Sequence, residues 1–505
     1  MTLDTSRGSS KRLMAKARRG ARVPEAPASG VGLTPPSATP ASAASDSAAS
    51  DSGASGPAGS ASKMPQLSGW GRVPEPGREL VGENLPALTR GAALSRGLGR
   101  SYGDSSLPAA PGDKVVNTRL ANRILAFDEQ TGVLHAEAGV TLVELNRTLL
   151  PRGWFTPVTP GTKFVTLGGM VASDVHGKNH HRDGCFGEHV LGLRLRLASD
   201  DVVDVSPTQD PDLFYGTIGG MGLLGHILEV KVQFKRVPSP WIWMETERVP
   251  DIGSYLTALD RAASEWPMTM GWIDCLAQGR SLGRGVSMVG RWATPEEARG
   301  KALPRALTAT MPFELPNWAL NRATGTLFNQ FIYHSYPRSP RARVVPPDPF
   351  FYPLDAILEW NRAYGPRGFT QYQCVLPRAA GAEAVREFMQ RLAALGCASP
   401  LCVIKDCGPE GKGTLSFPLE GTSIAVDVAV SPDIQRYVDA LNEFVIAAKG
   451  RIYLSKDRFT RPEHFRAMEP RLPTFFAARD KWDPERRLRS AQSRRLFGDP
   501  AAERA

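Results

Sequence analysis

VTLGGMVASDVHGKNHH, residues 165–181, sets a glycine pair, an acid, three histidines and a lysine within seventeen positions. Three chemistries use such material: a metal site, a catalytic centre, or a loop that cradles a cofactor. His176 and His180 have the H-x-x-x-H spacing that chelates a metal from a helix. Gly177 and the small residues before it oppose a helix, and no carboxylate or cysteine completes a zinc set, so no metal is expected. Upstream, Pro160-Gly161 makes a turn, Gly168-Gly169 opens the backbone, and Ala172 and Ser173 permit close approach by a flat ligand.

A second glycine-rich stretch, SRGLGRSYGDSS at 95–106, has glycines at 97, 99 and 103. They let backbone N–H groups point into one concavity, the device by which a loop binds a diphosphate. The spacing fails the dinucleotide fingerprint, because Tyr102 stands where a third glycine is required. GMGLLG at 220–225 satisfies G-x-G-x-x-G in full, but it follows the helix-like DPDLFYGTI and precedes the alternating HILEVKVQF. That inverts the strand-to-helix setting of a Rossmann site. A planar heterocycle with a diphosphate tail suits the first two loops together.

Around these loops, residues 115–140 read as short strands with a turn at Gln130-Thr131-Gly132, and 141–153 as a helix ending at Gly153. LGLRLRLA (191–198) and ILEVKVQFK (227–235) alternate as half-buried strands. Strand-like QYQCVL, PLCVIKD and SIAVDVAV interleave with amphipathic helices at 379–396, stopped by Gly396, and 432–450, stopped by Gly450. This grammar is α+β, with no internal repeat.

The 505 residues, 42% hydrophobic, suffice for two or three domains. No run of eighteen apolar residues occurs, so membrane contact is expected to be peripheral. Six cysteines without a CxxC pair suggest reduced thiols, and Cys397, Cys402 and Cys407 are expected to be buried rather than metal-bound. Of the net charge of +10, residues 1–63 carry +4. The mild remainder, with no RNA-binding or zinc-finger signature, excludes nucleic acid as the expected partner. Residues 30–62 are nearly all Ala, Ser, Gly, Pro, Thr and Asp and are expected to be disordered. Arg18-Arg19 lacks the apolar region of an export signal, and Met64 is an alternative start. The C-terminal arginines read as a solvated helix face, with anionic lipid as their alternative partner.

The motifs SRGLGRSYGD, PGTKFVTLGGMVASDVHGKNHH, TIGGMGLLG, FTQYQ, IYLSKD and DPERRLRSAQSRRL, in this order from about Leu67 to Leu496, resemble the FAD-dependent oxidoreductases of the vanillyl-alcohol oxidase type. The similarity is greatest to the decaprenylphosphoryl-β-D-ribose 2′-oxidase subfamily. The resemblance implies a PCMH-type FAD-binding domain (64–238) and a substrate domain on an antiparallel sheet with helices (239–450). A C-terminal segment (451–505) returns to the first domain, and the tail (1–63) lies outside the likeness.

It further implies that Ser95, Arg96, Gly97, Leu98, Gly99, Arg100, Ser101, Tyr102, Gly103, Asp104 and Ser105 wrap the FAD diphosphate. Gly161, Thr166, Leu167, Gly168, Gly169, Ser173, Asp174, Val175 and His176 line the flavin, with Leu228 and Tyr453 as further contacts. Arg100 stands where many relatives carry a histidine bonded to the flavin, which implies non-covalent FAD. Lys456 matches the family lysine close to flavin and substrate, where a cation beside the reduced ring lowers the barrier. His176 matches the histidine that positions or deprotonates the alcohol. Gln371 and Gln373, on one side of a strand, match substrate contacts, with Trp272, Tyr352, Lys178 and Lys405 as further pocket candidates, the lysines suited to a phosphate. Where close relatives have Asn-x-Cys, this chain has Ser423-Ile424-Ala425, a change of pocket shape and of sensitivity to covalent inhibitors. The resemblance implies oxidation of a polyprenylphosphoryl pentose, a separate short-chain keto-reductase as partner, and work at the inner face of the cell membrane, with a periplasmic location left open. A soluble alditol or aldonolactone oxidase and a flavin-retaining subunit without turnover are the alternatives.

Overall fold

A computed structural model describes residues 65–304, 308–396 and 399–501; the readings of the tail, Met64 and Cys397 fall outside them. Three sheets organise the described chain. The first is parallel, from β1 (Glu79–Val81), β2 (Leu94–Arg96) and β3 (Val115–Asn117), with β3 in the middle. The second is antiparallel, in the order β7-β6-β8-β5-β4, where β4 is Ile124–Phe127, β5 Val133–Glu137, β6 Val190–Arg196, β7 Val202–Val205 and β8 His226–Gln233. The 130–132 turn forms as expected, with Asp128 accepting from the backbone of Gln130. The helix Leu142–Leu149 begins in a capping box of Thr141 and Glu144 and ends, through one 3₁₀ turn, at left-handed Gly153.

The third sheet has eight strands in the order β12-β9-β11-β10-β14-β15-β13-β16. They are β9 (Ile242–Val249), β10 (Met268–Ile273), β11 (Gly285–Trp292), β12 (Arg341–Val345), β13 (Phe369–Pro377), β14 (Cys402–Cys407), β15 (Gly421–Ala429) and β16 (Arg451–Ile452). In antiparallel register, paired residues share a face. Gln371 pairs with Asp427, Gln373 with Ala425, Lys405 with Ser423, and Trp272 with Val403. One face therefore gathers the polar residues. The other presents Tyr372, Cys374, Ile404, Ile424 and Val426 to helices Gly381–Leu395 and Ile434–Ala447, whose Phe388, Leu392, Val438 and Leu441 complete the core. The period-2 strands and 3.6-period helices dock by burying their apolar sides on each other.

Two local expectations are corrected. The stop of Ile434–Ala447 is Lys449, at φ +57°, and Gly450 serves a different need: a Cβ there would lie 2.4 Å from the Val375 carbonyl oxygen. The glycine pair 168–169 is not an open loop, because Leu167–Ala172 is a short helix whose N-cap Thr166 accepts from the Gly169 N–H.

The terminal segment packs against residues 93–113, as the Arg489 and Ala491 N–H groups donate to the Ala93 and Leu107 carbonyls. Its arginines are no solvated face. Arg495 makes a two-pronged pair with Asp104 and a further bond to Asp457, Arg489 pairs with Asp113, and fully buried Arg479 pairs with Asp499. The Arg495–Asp104 pair ties the terminal segment to the 95–106 loop, and Arg489–Asp113 ties it to the chain just beyond.

Candidate active site

The 95–106 loop leaves β2 and is shaped by its neighbours. A Cβ on Gly97 would lie 2.4 Å from Thr166 Oγ1, and one on Gly103 only 1.7 Å from the Asp457 carbonyl oxygen. These glycines let both the 160–177 segment and the terminal segment touch the loop. Tyr102 N–H donates to Ser455, but among the described residues the N–H groups of Gly97–Ser101 and Gly103–Ser105 have no protein acceptor. A run of N–H groups without a protein acceptor on one loop fits an anion with several oxygens. A diphosphate fits this cradle. Gly161 meets nothing within 4 Å of its would-be Cβ, which leaves room for a flat ring beside the second segment.

The structure separates the expected cofactor residues by what their side chains do. Arg96 is taken up by Glu79, Ser106 and the Ser68 carbonyl, and Asp104 by Arg495. Asp174, fully buried, accepts from Ser416 Oγ and from the Gly187 N–H, and burial lifts it to about 6. Ser95 Oγ bonds His226 Nδ1. The Leu228 carbonyl accepts from the Ala138 N–H. These residues shape the cradle rather than present side chains to a ligand. Arg100 lies with its guanidinium 4.0 Å from the Trp70 ring centroid and 5.1 Å from that of Phe164, its Nε without a described acceptor.

Three lysines and His176 meet over the polar face of the large sheet. Lys405 Nζ lies 2.5 Å from His176 Nδ1, and the Gln373 amide lies 3.2 Å from His176 Nε2 and 3.2 Å from Ser423 Oγ. The imidazole packs on Phe417 and on Tyr453, whose hydroxyl donates to the Ser173 carbonyl. Burial, then Lys405, His180 and Lys456, push His176 well below its usual value, so the ring is neutral. Burial and Lys405 bring Lys178 down to about 7, and burial brings Lys405 to about 8. Lys178 Nζ donates to the Phe351 carbonyl at 3.1 Å.

Lys456 sits 3.8 Å from the Tyr102 ring centroid. Burial lowers it to about 7 against the opposing pull of Asp427. Asp427 escaped the sequence reading. It is fully buried, accepts from Gln371 at 2.6 Å and from the Tyr364 hydroxyl at 2.8 Å, and burial raises it to about 6. The signal was present in SIAVDVAV: an acid in phase with Ser423 and Ala425. Phe417 and Trp70 carried no comparable signal.

Two pocket candidates are engaged elsewhere. The Tyr352 hydroxyl is held by Thr159 (2.7 Å) and Asn146 (3.1 Å) inside an apolar cluster, and Trp272 Nε1 donates to the Pro400 carbonyl. His180 and His181 have structural roles. His180 Nδ1 accepts from the Gly408 N–H while Nε2 faces Cys185 Sγ, and His181 Nε2 donates to the Trp266 carbonyl. Among the described residues no cluster could hold a metal.

Comparison with known proteins adds the chemistry. Residues 86–206 match the FAD binding domain family. The chain is 33% identical to decaprenylphosphoryl-β-D-ribose oxidase of Mycolicibacterium smegmatis, over 85% of this chain and 97% of that protein. It is 32% identical to an uncharacterized protein of Streptomyces coelicolor, over 71% of this chain and the whole of that protein. A putative D-arabinono-1,4-lactone oxidase of Neurospora crassa is 31% identical, over 25% of this chain and 22% of its own length. The chain is an FAD-dependent oxidoreductase and belongs to the decaprenylphosphoryl-β-D-ribose oxidase family.

Proposed function

We propose that the chain oxidises the 2′-hydroxyl of a polyprenylphosphoryl-β-D-ribose to the 2′-keto sugar. This is the first half of an epimerisation to the arabinose lipid used for cell-envelope glycan synthesis. FAD, held non-covalently, supplies the two-electron acceptor for the carbinol hydrogen. The observation that carries the reading is the convergence of Lys178, Lys405 and Lys456 with His176 on one polar sheet face. A phosphate-bearing substrate balances two ammonium groups, Lys178 and Lys405. Below its value of about 7 Lys456 is an ammonium, the state that stabilises growing negative charge beside it. His176 has both ring nitrogens engaged, so it holds Lys405 and Gln373 in place rather than acting as the base.

Arg100 at the position of the covalent histidine supports dissociable FAD, since a guanidinium forms no such bond. A division at about residues 238 and 450 separates cofactor binding from substrate binding. A short-chain keto-reductase completes the epimerisation, and the lipid substrate places the enzyme at the inner face of the cell membrane; no described helix is long and apolar enough to cross it.

The test is anaerobic. Prenylphosphoryl ribose bleaches the flavin band of the purified protein, whereas free alditols and aldonolactones do not. Preferential bleaching by the free sugars replaces this reading with a soluble sugar oxidase, and a flavin that no sugar bleaches replaces it with a non-catalytic subunit. Lys456→Ala keeps its yellow colour and is reduced about 10²-fold or more slowly.

A further inference from the structure

The helix Arg322–Ser335 is built inside out. Its buried positions are Gly325 and Asn329, while Leu327 is 71% and Phe331 70% exposed, with Phe328 on the same side. Trp318, four residues before it, is 77% exposed. An ordinary surface helix turns its apolar stripe inward. Here a polar plug holds the helix instead: Asn329 Nδ2 donates to Asp274 Oδ1 at 2.8 Å and to the Ser399 carbonyl at 3.3 Å. The contiguous outward aromatic and aliphatic groups need a further partner.

Charge says which. Residues 315–347 contain Arg322, Arg338, Arg341 and Arg343 and no Asp or Glu. All four arginines are exposed, and none is ion-paired to a described residue, whereas the C-terminal arginines are. They supply four of the six net positive charges outside residues 1–63. Arg341 and Arg343 project from β12, an edge strand of the large sheet. An outward apolar row flanked by unpaired cations is the composition of an interfacial helix on anionic lipid. A second copy of this chain would set the same arginines against each other across a two-fold axis.

We propose that Trp318, the outer face of Arg322–Ser335 and the arginines of β12 form the surface by which the chain docks on an anionic phospholipid bilayer. The position suits a lipid-borne substrate. Asp274 follows the β10 strand that carries Trp272, and Ser399 adjoins Pro400, whose carbonyl accepts from Trp272 Nε1. The docking helix is thus anchored beside the end of β10 in the large sheet, whose polar face carries the site. Only this link to catalysis rests on the substrate reading; docking itself is measured without any sugar.

The experiment uses full-length, FAD-loaded protein and vesicles of phosphatidylcholine, with or without one-third phosphatidylglycerol. The protein floats with the anionic vesicles at low salt and not with the neutral ones. An Arg341→Gln/Arg343→Gln variant loses about twenty-five-fold in partitioning, at about fivefold per charge. A Leu327→Ser/Phe331→Ser variant loses at least about tenfold, with flavin spectrum and melting temperature unchanged. Brominated acyl chains quench tryptophan fluorescence in the wild type, and Trp318→Phe removes most of that quenching. Failure of the wild type to float with anionic vesicles overturns the proposal, as does unaltered flotation of both double variants. If the serine variant instead loses self-association or capture of a reductase while still floating, the face is a protein interface. None of these outcomes alters the anaerobic sugar assay, so the two readings fail separately.

Discussion

Lys405 Nζ and His176 Nδ1 lie 2.5 Å apart, although 229 positions separate them in sequence, and this contact fixes the hydrogen-bond directions of the whole cluster. An ammonium only donates, so Nδ1 accepts. The one proton of the neutral ring is then on Nε2, and the Gln373 amide, whose nitrogen stands 3.2 Å from both Nε2 and Ser423 Oγ, meets that N–H only with its oxygen and nitrogen exchanged, an orientation in which Ser423 Oγ–H donates to the same oxygen. A chain of Lys405, His176, Gln373 and Ser423 results, joining the 160–177 segment to three strands of the large sheet.

Removing the donor breaks that chain. Lys405→Met retains FAD but lowers kcat/KM about 10²-fold, as expected for a lost preorganised charge. The pH profile identifies the cause. Ammonium groups with values of about 7 and about 8 lose their protons as pH rises, so wild-type kcat/KM falls through that window. In Lys405→Met the component near 8 disappears and the component near 7 moves to higher pH, because the Lys405 charge no longer depresses Lys178 and Lys456. Persistence of both assigns the upper limb to another group.

Asp427→Asn reads the buried acid beside Lys456. Asparagine keeps the shape but removes the charge that supports the ammonium, so the alkaline limb near 7 moves to lower pH. Stability moves too. A carboxyl at about 6 in the fold and 3.8 as its ordinary value contributes stability below 3.8 that is lost as pH rises through 6. The urea midpoint of Asp427→Asn therefore gains on that of the wild type between pH 4.5 and pH 7. An unchanged difference across that range shows that Asp427 is not raised.

Much of this was legible in the chain. Strict alternation in 191–198 and 227–235 gave strands, and capping signals such as Thr141 with Glu144 gave helix ends. Short-range rules failed where distant partners decide. Arg495 reads as a solvated residue because Asp104, which neutralises it, lies 391 positions away. Gly168-Gly169 reads as an open loop because glycine is a poor helix former, yet the Thr166 cap and the close packing on Ala138 favour the helix. His176 was legible as a site residue, but its neutral state depends on burial and on Lys405, which only the assembled sheet supplies.

Two glycines separate cofactor binding from folding. Gly103→Ala drives a methyl into the Asp457 carbonyl, undocks the terminal segment from the cradle, and costs about 3 kcal/mol or more. Gly161→Ala meets no protein atom within 4 Å and leaves the apoprotein's melting temperature unchanged. If the flavin ring occupies that space, Gly161→Ala nevertheless weakens FAD retention on gel filtration at least tenfold. Full FAD retention by Gly161→Ala moves the ring elsewhere.

Ala425 offers a direct probe of the pocket floor. It lies between Gln373 and Val403 in the sheet, on the face that carries Lys405, Ser423 and Asp427, and is 4% exposed. The native thiols supply little background: the five described cysteines are buried, and burial raises Cys185, Cys374 and Cys407 well above their usual value, so few are thiolates. An Ala425→Cys variant, made with Cys397→Ser, places one thiol on the face that carries Lys405, whose charge favours the thiolate. A methylthiolating thiosulfonate then transfers its CH3S group to one cysteine and releases a sulfinate, as mass spectrometry shows. Modification blocks flavin bleaching by prenylphosphoryl ribose without releasing FAD, because a thiomethyl group at 425 fills the space beside Gln373 where the sugar binds. Complete modification with unaltered bleaching means that the sugar does not lie over this part of the sheet, and Gln373 and Ser423 then lose their assignment to substrate.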